Sequence, residues 1–224
     1  MRTFVRENSL SLFFAALFAL SLVGQSFAGE HRFNADQVAH GEPASSWWEY
    51  VHSADFWGSV MENWQSEFLQ FTLFIAATIW LLQKGSNESK KLDATGRESD
   101  EQQRVGPHAG PESPWPARAG GVWRTAYENS LLVVMGGIFV ASWLMQSLGN
   151  WRGFNQDQLA HDQATVSWGS YLVRADFWER TLENWQSEFL AVGTIAVFSI
   201  YLRQRGSPES KPVGAPHDET GSSG

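Results

Sequence analysis

The chain has 224 residues, a formal net charge of −8 at pH 7 and no cysteine. The lack of cysteine excludes disulfides, cysteine-ligated zinc or iron–sulfur sites and thiol nucleophiles. The acidic balance argues against a nucleic-acid-binding protein, which would show a basic face. The apolar residues are concentrated in four blocks separated by polar connectors, which is typical of a membrane protein.

The first apolar block follows Arg2 and Arg6 and ends near Ser26-Phe27-Ala28, so it resembles a secretory signal with a cleavage site. A block of the same kind lies at 130–148, in the middle of the chain, where a signal peptide cannot be. We therefore expect the first block to be a retained helix over about 9–28. Its length of about 28 Å suits the hydrocarbon core of a bilayer.

The second apolar block is preceded by the motif ENWQSEFL at 62–69, and the same eight residues recur at 183–190 before the fourth block. Because the apolar part of each block has only about 15 residues, a full crossing must begin upstream, inside the motif. The sequence therefore predicts membrane helices over about 56–83 and 177–204. Asp55 and Asp176 are expected to be their N-caps.

The chain matches itself without gaps at an offset of 121 positions, from 7–90 to 128–211. Roughly four aligned positions in ten are identical, which indicates an internal duplication. We predict a first two-helix copy at 1–92, a disordered linker at 93–123, a second copy at 124–211 with helices at about 130–149 and 177–204, and a disordered tail at 212–224. The linker and the tail are rich in Gly, Pro, Ser and charge, a composition that cannot bury enough apolar area to fold.

The distribution of Lys and Arg predicts the orientation in the membrane. Twelve of the sixteen lie at the N-terminus, in the linker or after the fourth block, whereas only four lie in the two intra-copy loops. By the positive-inside rule both termini and the linker are cytoplasmic and the loops face outward. Two crossings per copy give both copies one orientation, related by a parallel pseudo-two-fold axis along the membrane normal. The predicted fold class is therefore an all-α membrane protein with four transmembrane helices in two duplicated hairpins.

A polar layer is predicted near the outer edge of the membrane. Counted along the helices, Gln25 and Glu67 lie about 24 Å above the cytoplasmic surface, and Gln146 and Glu188 lie level in the second copy. Such groups are costly in lipid and should turn inward and pair with one another. One reading is structural, with the side chains fixing helix register. The other is a proton or cation site formed by the paired glutamates.

The outer loops are rich in aromatic residues, and Trp57, Trp64, Trp178 and Trp185 are predicted interfacial anchors at the headgroups. A stacking surface for a sugar or an aromatic ligand is the alternative.

Each loop also places an aspartate four residues before a histidine, as Asp36 with His40 and Asp157 with His161. A histidine with two carboxylates could ligate zinc or manganese, but a solvated surface pair explains the spacing as well.

The segments RENSLSL, VGQSFAG, FNxDQxAHG, ENWQSEFLQ and QKGSxESKK resemble a family of small, uncharacterised bacterial integral membrane proteins, a domain of unknown function. The resemblance covers 6–91 and again 127–211, and so implies two tandem copies of the domain. It implies a membrane location and a bacterial origin, and no substrate, cofactor or catalytic residue.

These observations favour a structural or interaction component of the bacterial plasma membrane, multi-pass, with both termini cytoplasmic. The expected partners are the lipid bilayer and a second copy of the chain or another membrane protein, and not nucleic acid. We expect no enzymatic activity, no cofactor and no metal site. The alternative is a small proton or cation transporter or channel component that uses the paired glutamates.

Overall fold

The structure of the protein, a computed structural model, describes residues 2–221. Within this range the chain forms nine α-helices and one short 3-10 helix, with no β-strand. The helices are α1 (Arg2–Glu7), α2 (Ser9–Ala39), α3 (Trp47–Val51), α4 (Ala54–Trp80), α5 (Trp115–Arg118), α6 (Gly121–Glu128), α7 (Ser130–Ala160), α8 (Trp168–Tyr171) and α9 (Ala175–Tyr201), and the 3-10 helix is Gly106–His108. The predicted all-α class is confirmed.

Two of these helices, α2 and α7, are long and apolar enough to cross a membrane. Each has 31 residues and therefore a length of about 46 Å. In α2 only Ser26 is buried, and large apolar side chains such as Phe13 and Phe14 are more than half exposed. A continuous apolar surface of this kind is what a lipid environment requires. The helices α4 and α9 have 27 residues each but are not apolar enough to be counted with them.

The helix ends differ from the predicted ones. Both α2 and α7 run on to Ala39 and Ala160, past the predicted ends near 28 and 149. The length of the apolar segment indicates only the part of the helix that is suited to lipid. The helix itself continues until a residue in the left-handed backbone conformation ends it. That residue is Gly41 in one case, with φ 76°, and Asp162 in the other, with φ 54°.

The predicted N-caps of α4 and α9 are wrong, because Asp55 and Asp176 lie in the first turn of each helix. The backbone N–H of Phe56 donates instead to the hydroxyl of Ser53 at 3.2 Å. The carboxylate of Asp55 accepts a hydrogen bond from Arg32 at 3.0 Å. A first-turn carboxylate still interacts favourably with the helix dipole, so the acidic residue keeps its place without being the cap.

The chain divides into two compact units. The first unit comprises Met1–Met61 and Met145–Phe177, and the second comprises Glu62–Leu144 and Trp178–Gly224. The linker 93–123 contains the 3-10 helix, α5 and the first residues of α6, joined by turns and irregular segments. Its disorder and the two-copy domain division stay predictions. Residues 222–224 of the predicted tail lie outside the described residues.

Candidate functional site

In the first unit, two tyrosines 121 positions apart form matching aromatic clusters. Tyr50 is 2% exposed and its ring centroid lies 5.5 Å from that of Phe33 and 5.6 Å from that of Phe56. Tyr171 is 1% exposed and packs in the same way on Phe154 and Phe177. Burial, and then the charge of Asp55, raise the pKa of Tyr50. The aromatic residues of the loops are therefore partly core residues and not all surface anchors.

The asparagine of each FNxDQxAH segment holds the loop that follows its helix. Asn34 donates from Nδ2 to the carbonyl of Ser45 and accepts from the Ser45 N–H, both at 2.8 Å. Asn155 makes the same two bonds with Val166, at 2.9 and 2.8 Å. A side-chain amide can donate to the carbonyl and accept from the N–H of one residue at the same time, whereas a carboxylate only accepts. The repeated asparagine is thus explained by loop closure.

The serine of each Gln-Ser pair is an acceptor for a tryptophan of the loop that follows the same helix. The Trp47 indole N–H donates to Ser26 Oγ at 3.1 Å, and Trp168 donates to Ser147 Oγ at 3.2 Å. Both serines are almost fully buried. The tryptophans of α3 and α8 are thereby fixed to the long helices α2 and α7.

The two glutamines of the predicted polar layer, Gln25 and Gln146, both lie in the first unit but differ in their contacts. Gln25 donates to Ser59 Oγ at 3.2 Å. Gln146 is 0% exposed, and neither of its side-chain polar atoms has a partner among the described residues. One turn further along α7, the backbone comes close to α4, where a Cβ built on Gly149 would lie 2.9 Å from Gly58 Cα.

The two glutamates of the predicted layer lie in the second unit, where the two copies of ENWQSEFL face each other. Trp185 donates its indole N–H to Gln65 Oε1 at 2.7 Å, and Asn184 donates to Glu62 Oε1 at 3.3 Å. Ser66 Oγ donates to Glu188 Oε1 at 3.4 Å. These pairs join residues 120 or 122 positions apart, so α4 and α9 run parallel along this contact.

The two glutamates of the predicted layer lie near enough for their charged carboxylates to repel each other. The side chain of Glu67 is exposed. The four-residue layer as a whole stays a prediction, since its glutamines and glutamates belong to different units.

Gln65 was missed by the sequence reasoning, although it is 0% exposed and therefore the most buried residue of the motif. It lies four residues after Met61 and four before Leu69, both of which are also buried. This i, i+4, i+8 spacing was a signal available in the sequence. It indicates that Gln65, rather than Glu67, faces the helix contact.

The four predicted aromatic anchors lie in different environments. Trp57 and Trp178 are 41% and 39% exposed, as an anchor should be. Trp185 is partly buried, with its ring 5.6 Å from that of Trp143. Trp64 is also partly buried, and its ring lies 6.2 Å from that of Phe68. Their position in a headgroup layer stays a prediction.

The segments 83–90 and 204–211, which share GSxESK, fold into two similar turns that follow α4 and α9. The N–H of Gln83 donates to Ser89 Oγ at 3.0 Å, and the N–H of Gln204 donates to Ser210 Oγ at 2.9 Å. These bonds replace the helical ones, which explains why the helices end at Trp80 and Tyr201, before the predicted 83 and 204. Each turn also needs a glycine, because Gly85 and Gly206 have φ of 88° and 86°.

The lysine that closes each turn binds the segment downstream of it. Lys211 is 1% exposed and donates to the carbonyls of Pro216, His217 and Glu219, each at 3.0 Å. Lys90 donates to the Gly96 carbonyl at 2.8 Å and also pairs with Glu98. An ammonium group has three donors and no acceptor, so it suits a ring of carbonyls. These lysines are therefore structural.

The glutamates of these turns also interact. Burial, and then the charge of Glu209, raise the pKa of the Glu88 carboxyl. Asn87 donates to Glu88 Oε1 at 3.1 Å. Among residues 2–221, no group of three or more His, Asp or Glu side chains is placed to hold a metal ion. The set of one histidine and two carboxylates considered from the sequence is therefore not formed within that range.

Comparisons with curated proteins and with solved structures find no match. One family model matches residues 1–222, and the two tandem copies of the domain stay a prediction. The chain belongs to the family described as Domain of unknown function (DUF6766).

Proposed function

We propose that the protein is a structural or interaction component of a bacterial plasma membrane and not an enzyme. It crosses the membrane four times, as two tandem hairpins of one orientation, and both termini and the linker are cytoplasmic. The two apolar helices α2 and α7 support membrane insertion, and the parallel contact between α4 and α9 supports a parallel duplication.

One observation carries the structural role. Several polar residues that recur 121 positions apart make internal hydrogen bonds of the same kind in both places, as the pairs Asn34 with Ser45 and Asn155 with Val166 illustrate. These bonds fix each loop to the helix before it. The bond of Trp185 with Gln65 joins α9 to α4, and inside a membrane bonds between helices take the place of a hydrophobic driving force. The repeated polar residues therefore support a structural role.

The four-crossing topology can be tested directly, because the chain has no cysteine and single-cysteine variants need no background substitutions. Glu42→Cys and Gln163→Cys place a thiol in each outer loop, and Glu112→Cys places one in the linker. We expect a membrane-impermeant maleimide to label the loop variants in intact cells and Glu112→Cys only after permeabilisation. If only α2 and α7 cross, residues 42 and 112 lie on the same side and are labelled alike, which would refute four crossings.

A proton or cation transporter is the second candidate, because the carboxylates of Glu67 and Glu188 interact electrostatically. Proteoliposomes loaded with a pH-sensitive dye separate the two functions. The structural role predicts no proton flux above that of empty liposomes, and a stable complex with itself or another membrane protein in mild detergent. A flux that is lost in the Glu67→Gln/Glu188→Gln double variant, with folding intact, would establish transport instead.

A further inference from the structure

The ends of α2 and α7 bring two histidines together that are 121 positions apart in the sequence. The ring centroids of His40 and His161 are 6.2 Å apart and their planes meet at 72°. Both residues belong to the first unit, and both side chains are accessible, with exposures of 40% and 58%.

Each imidazole is held in one tautomer by its own helix. His40 Nδ1 lies 2.9 Å from the carbonyl oxygen of Asp36, and His161 Nδ1 lies 2.9 Å from that of Asp157. A carbonyl oxygen only accepts, so each Nδ1 carries the proton and each Nε2 keeps its lone pair. A metal-binding histidine typically has this arrangement, in which one nitrogen donates to a carbonyl and fixes the ring while the other binds the metal.

The surroundings favour a cation. Asp36 Oδ1 lies 3.8 Å from His40 Nδ1, and Asp157 Oδ1 lies 3.5 Å from His161 Nδ1. The two helices end here with their carbonyls, the partly negative end of the helix dipole. The segments 36–42 and 157–163 contain no Lys or Arg. Nothing in these two segments therefore repels a divalent ion.

The ring separation is close to that of two ligands of one metal ion. With a Zn–N distance of about 2.1 Å, each ring centre lies about 3.2 Å from the ion, so two rings in tetrahedral positions are about 5 Å apart. The observed 6.2 Å requires a closure of about 1 Å. A shift of about 0.5 Å by each of the two exposed side chains, within its present rotamer, supplies this change without moving either helix.

We propose that His40 and His161 form a binding site for a divalent transition metal that favours imidazole, such as Zn²⁺, Cu²⁺ or Ni²⁺. The two Nε2 atoms are the protein ligands and water completes the coordination. The site joins α2 to α7 and is independent of the proposed function. Mg²⁺ and Ca²⁺, which prefer oxygen ligands, do not bind there.

His52 is a matched control, because its Nδ1 also lies 2.8 Å from the carbonyl of the residue four positions earlier, Trp48. It is exposed, and its ring contacts that of Trp48 rather than a second histidine. If one exposed imidazole of this geometry were enough to bind the metal, His52 would bind it as well. If two imidazoles are needed, His52 does not bind it.

The test uses the full chain, purified with a tag that contains no histidine, and titration calorimetry with ZnCl₂. We expect one ion per chain, an affinity lower by about tenfold or more in His40→Gln and in His161→Gln, and no change in His52→Gln. Metal-free melting temperatures of the variants check that they fold. Zn²⁺ should also raise the melting temperature of the wild type and not that of His161→Gln. Equal binding by the His40→Gln/His161→Gln double variant, or no saturable binding by the wild type, overturns the proposal.

Discussion

Trp185 donates its indole N–H to Gln65 Oε1 at 2.7 Å, and this bond joins the two copies of ENWQSEFL. Gln65 is fully buried, whereas Gln186, the corresponding glutamine of the other copy, is exposed. The same eight residues therefore lie in two different environments. This difference makes several consequences of the structure testable with a control inside the same chain.

Gln65→Ala should destabilise the protein by about 1 to 3 kcal/mol, because it leaves the Trp185 N–H without an acceptor in a partly buried position. Gln186→Ala removes the same side chain from an exposed position and should change stability by less than about 0.5 kcal/mol. Thermal unfolding of both variants in one detergent measures the difference. Equal losses for the two variants would mean that the bond contributes nothing specific.

Gly149→Ala should destabilise the protein, because a Cβ at this position lies 2.9 Å from Gly58 Cα and 3.1 Å from the Ala54 carbonyl oxygen. Backbone atoms cannot move aside as a flexible side chain can, so the helices must separate. Gly153→Ala, one turn further along α7, meets nothing within 4 Å. It should stabilise by up to about 1 kcal/mol, because alanine favours a helix over glycine. We expect the melting temperature to fall in Gly149→Ala and to rise in Gly153→Ala.

Lys211→Ala should expose the segment after α9 to proteases, because three carbonyls lose their shared donor. The exposed Lys91, which follows the corresponding lysine of the first turn, provides the control variant Lys91→Ala. Limited proteolysis followed by mass spectrometry locates the cuts. We expect faster cleavage within 212–221 only in Lys211→Ala, and unchanged cleavage there would show that the lysine does not hold the segment.

Glu88 should make the protein less stable as the pH rises. Its pKa in the folded protein is raised from the ordinary value of about 4.5, so folding favours the protonated form. This contribution is fully present below pH 4.5 and is lost as the pH rises through the folded-state pKa. Glu88→Gln should reduce that loss, and Glu209→Gln should act in the same direction by removing the neighbouring charge. Melting temperatures between pH 4 and 8 test this, with the exposed Glu101→Gln as a variant expected to follow the wild type.

Much of the helical architecture could be predicted from the sequence, because apolar length and the 121-residue repeat both indicate where the long helices lie. The helix ends could not, since they depend on local hydrogen bonds. The apolar pattern stops near residue 28, but α2 continues to Ala39, where the N–H of Glu42 bonds to the carbonyl of Gln37 at 2.9 Å. A left-handed residue after a polar helical segment carries that information, and hydrophobicity does not.

The sequence did not predict which residue of ENWQSEFL is the most buried, because a count of residues along a helix does not specify which face of the helix a residue occupies. A count of residues along the helix favours Glu67, whereas Gln65 is the most buried residue of the motif. Composition likewise did not predict the contacts of the segments that follow the two GSxESK turns. A segment rich in Gly, Pro and Ser has no core of its own, yet Lys211 binds it through its carbonyls.

The bond from Trp185 to Gln65 has a direction, because an indole only donates and the amide oxygen only accepts. Two separate, identical subunits around a two-fold axis would make this bond twice, once in each direction. In one continuous chain the roles are assigned permanently, so one motif can change its sequence while the other keeps the contact. The buried Gln65 and the exposed Gln186 are therefore free to diverge from here in different ways.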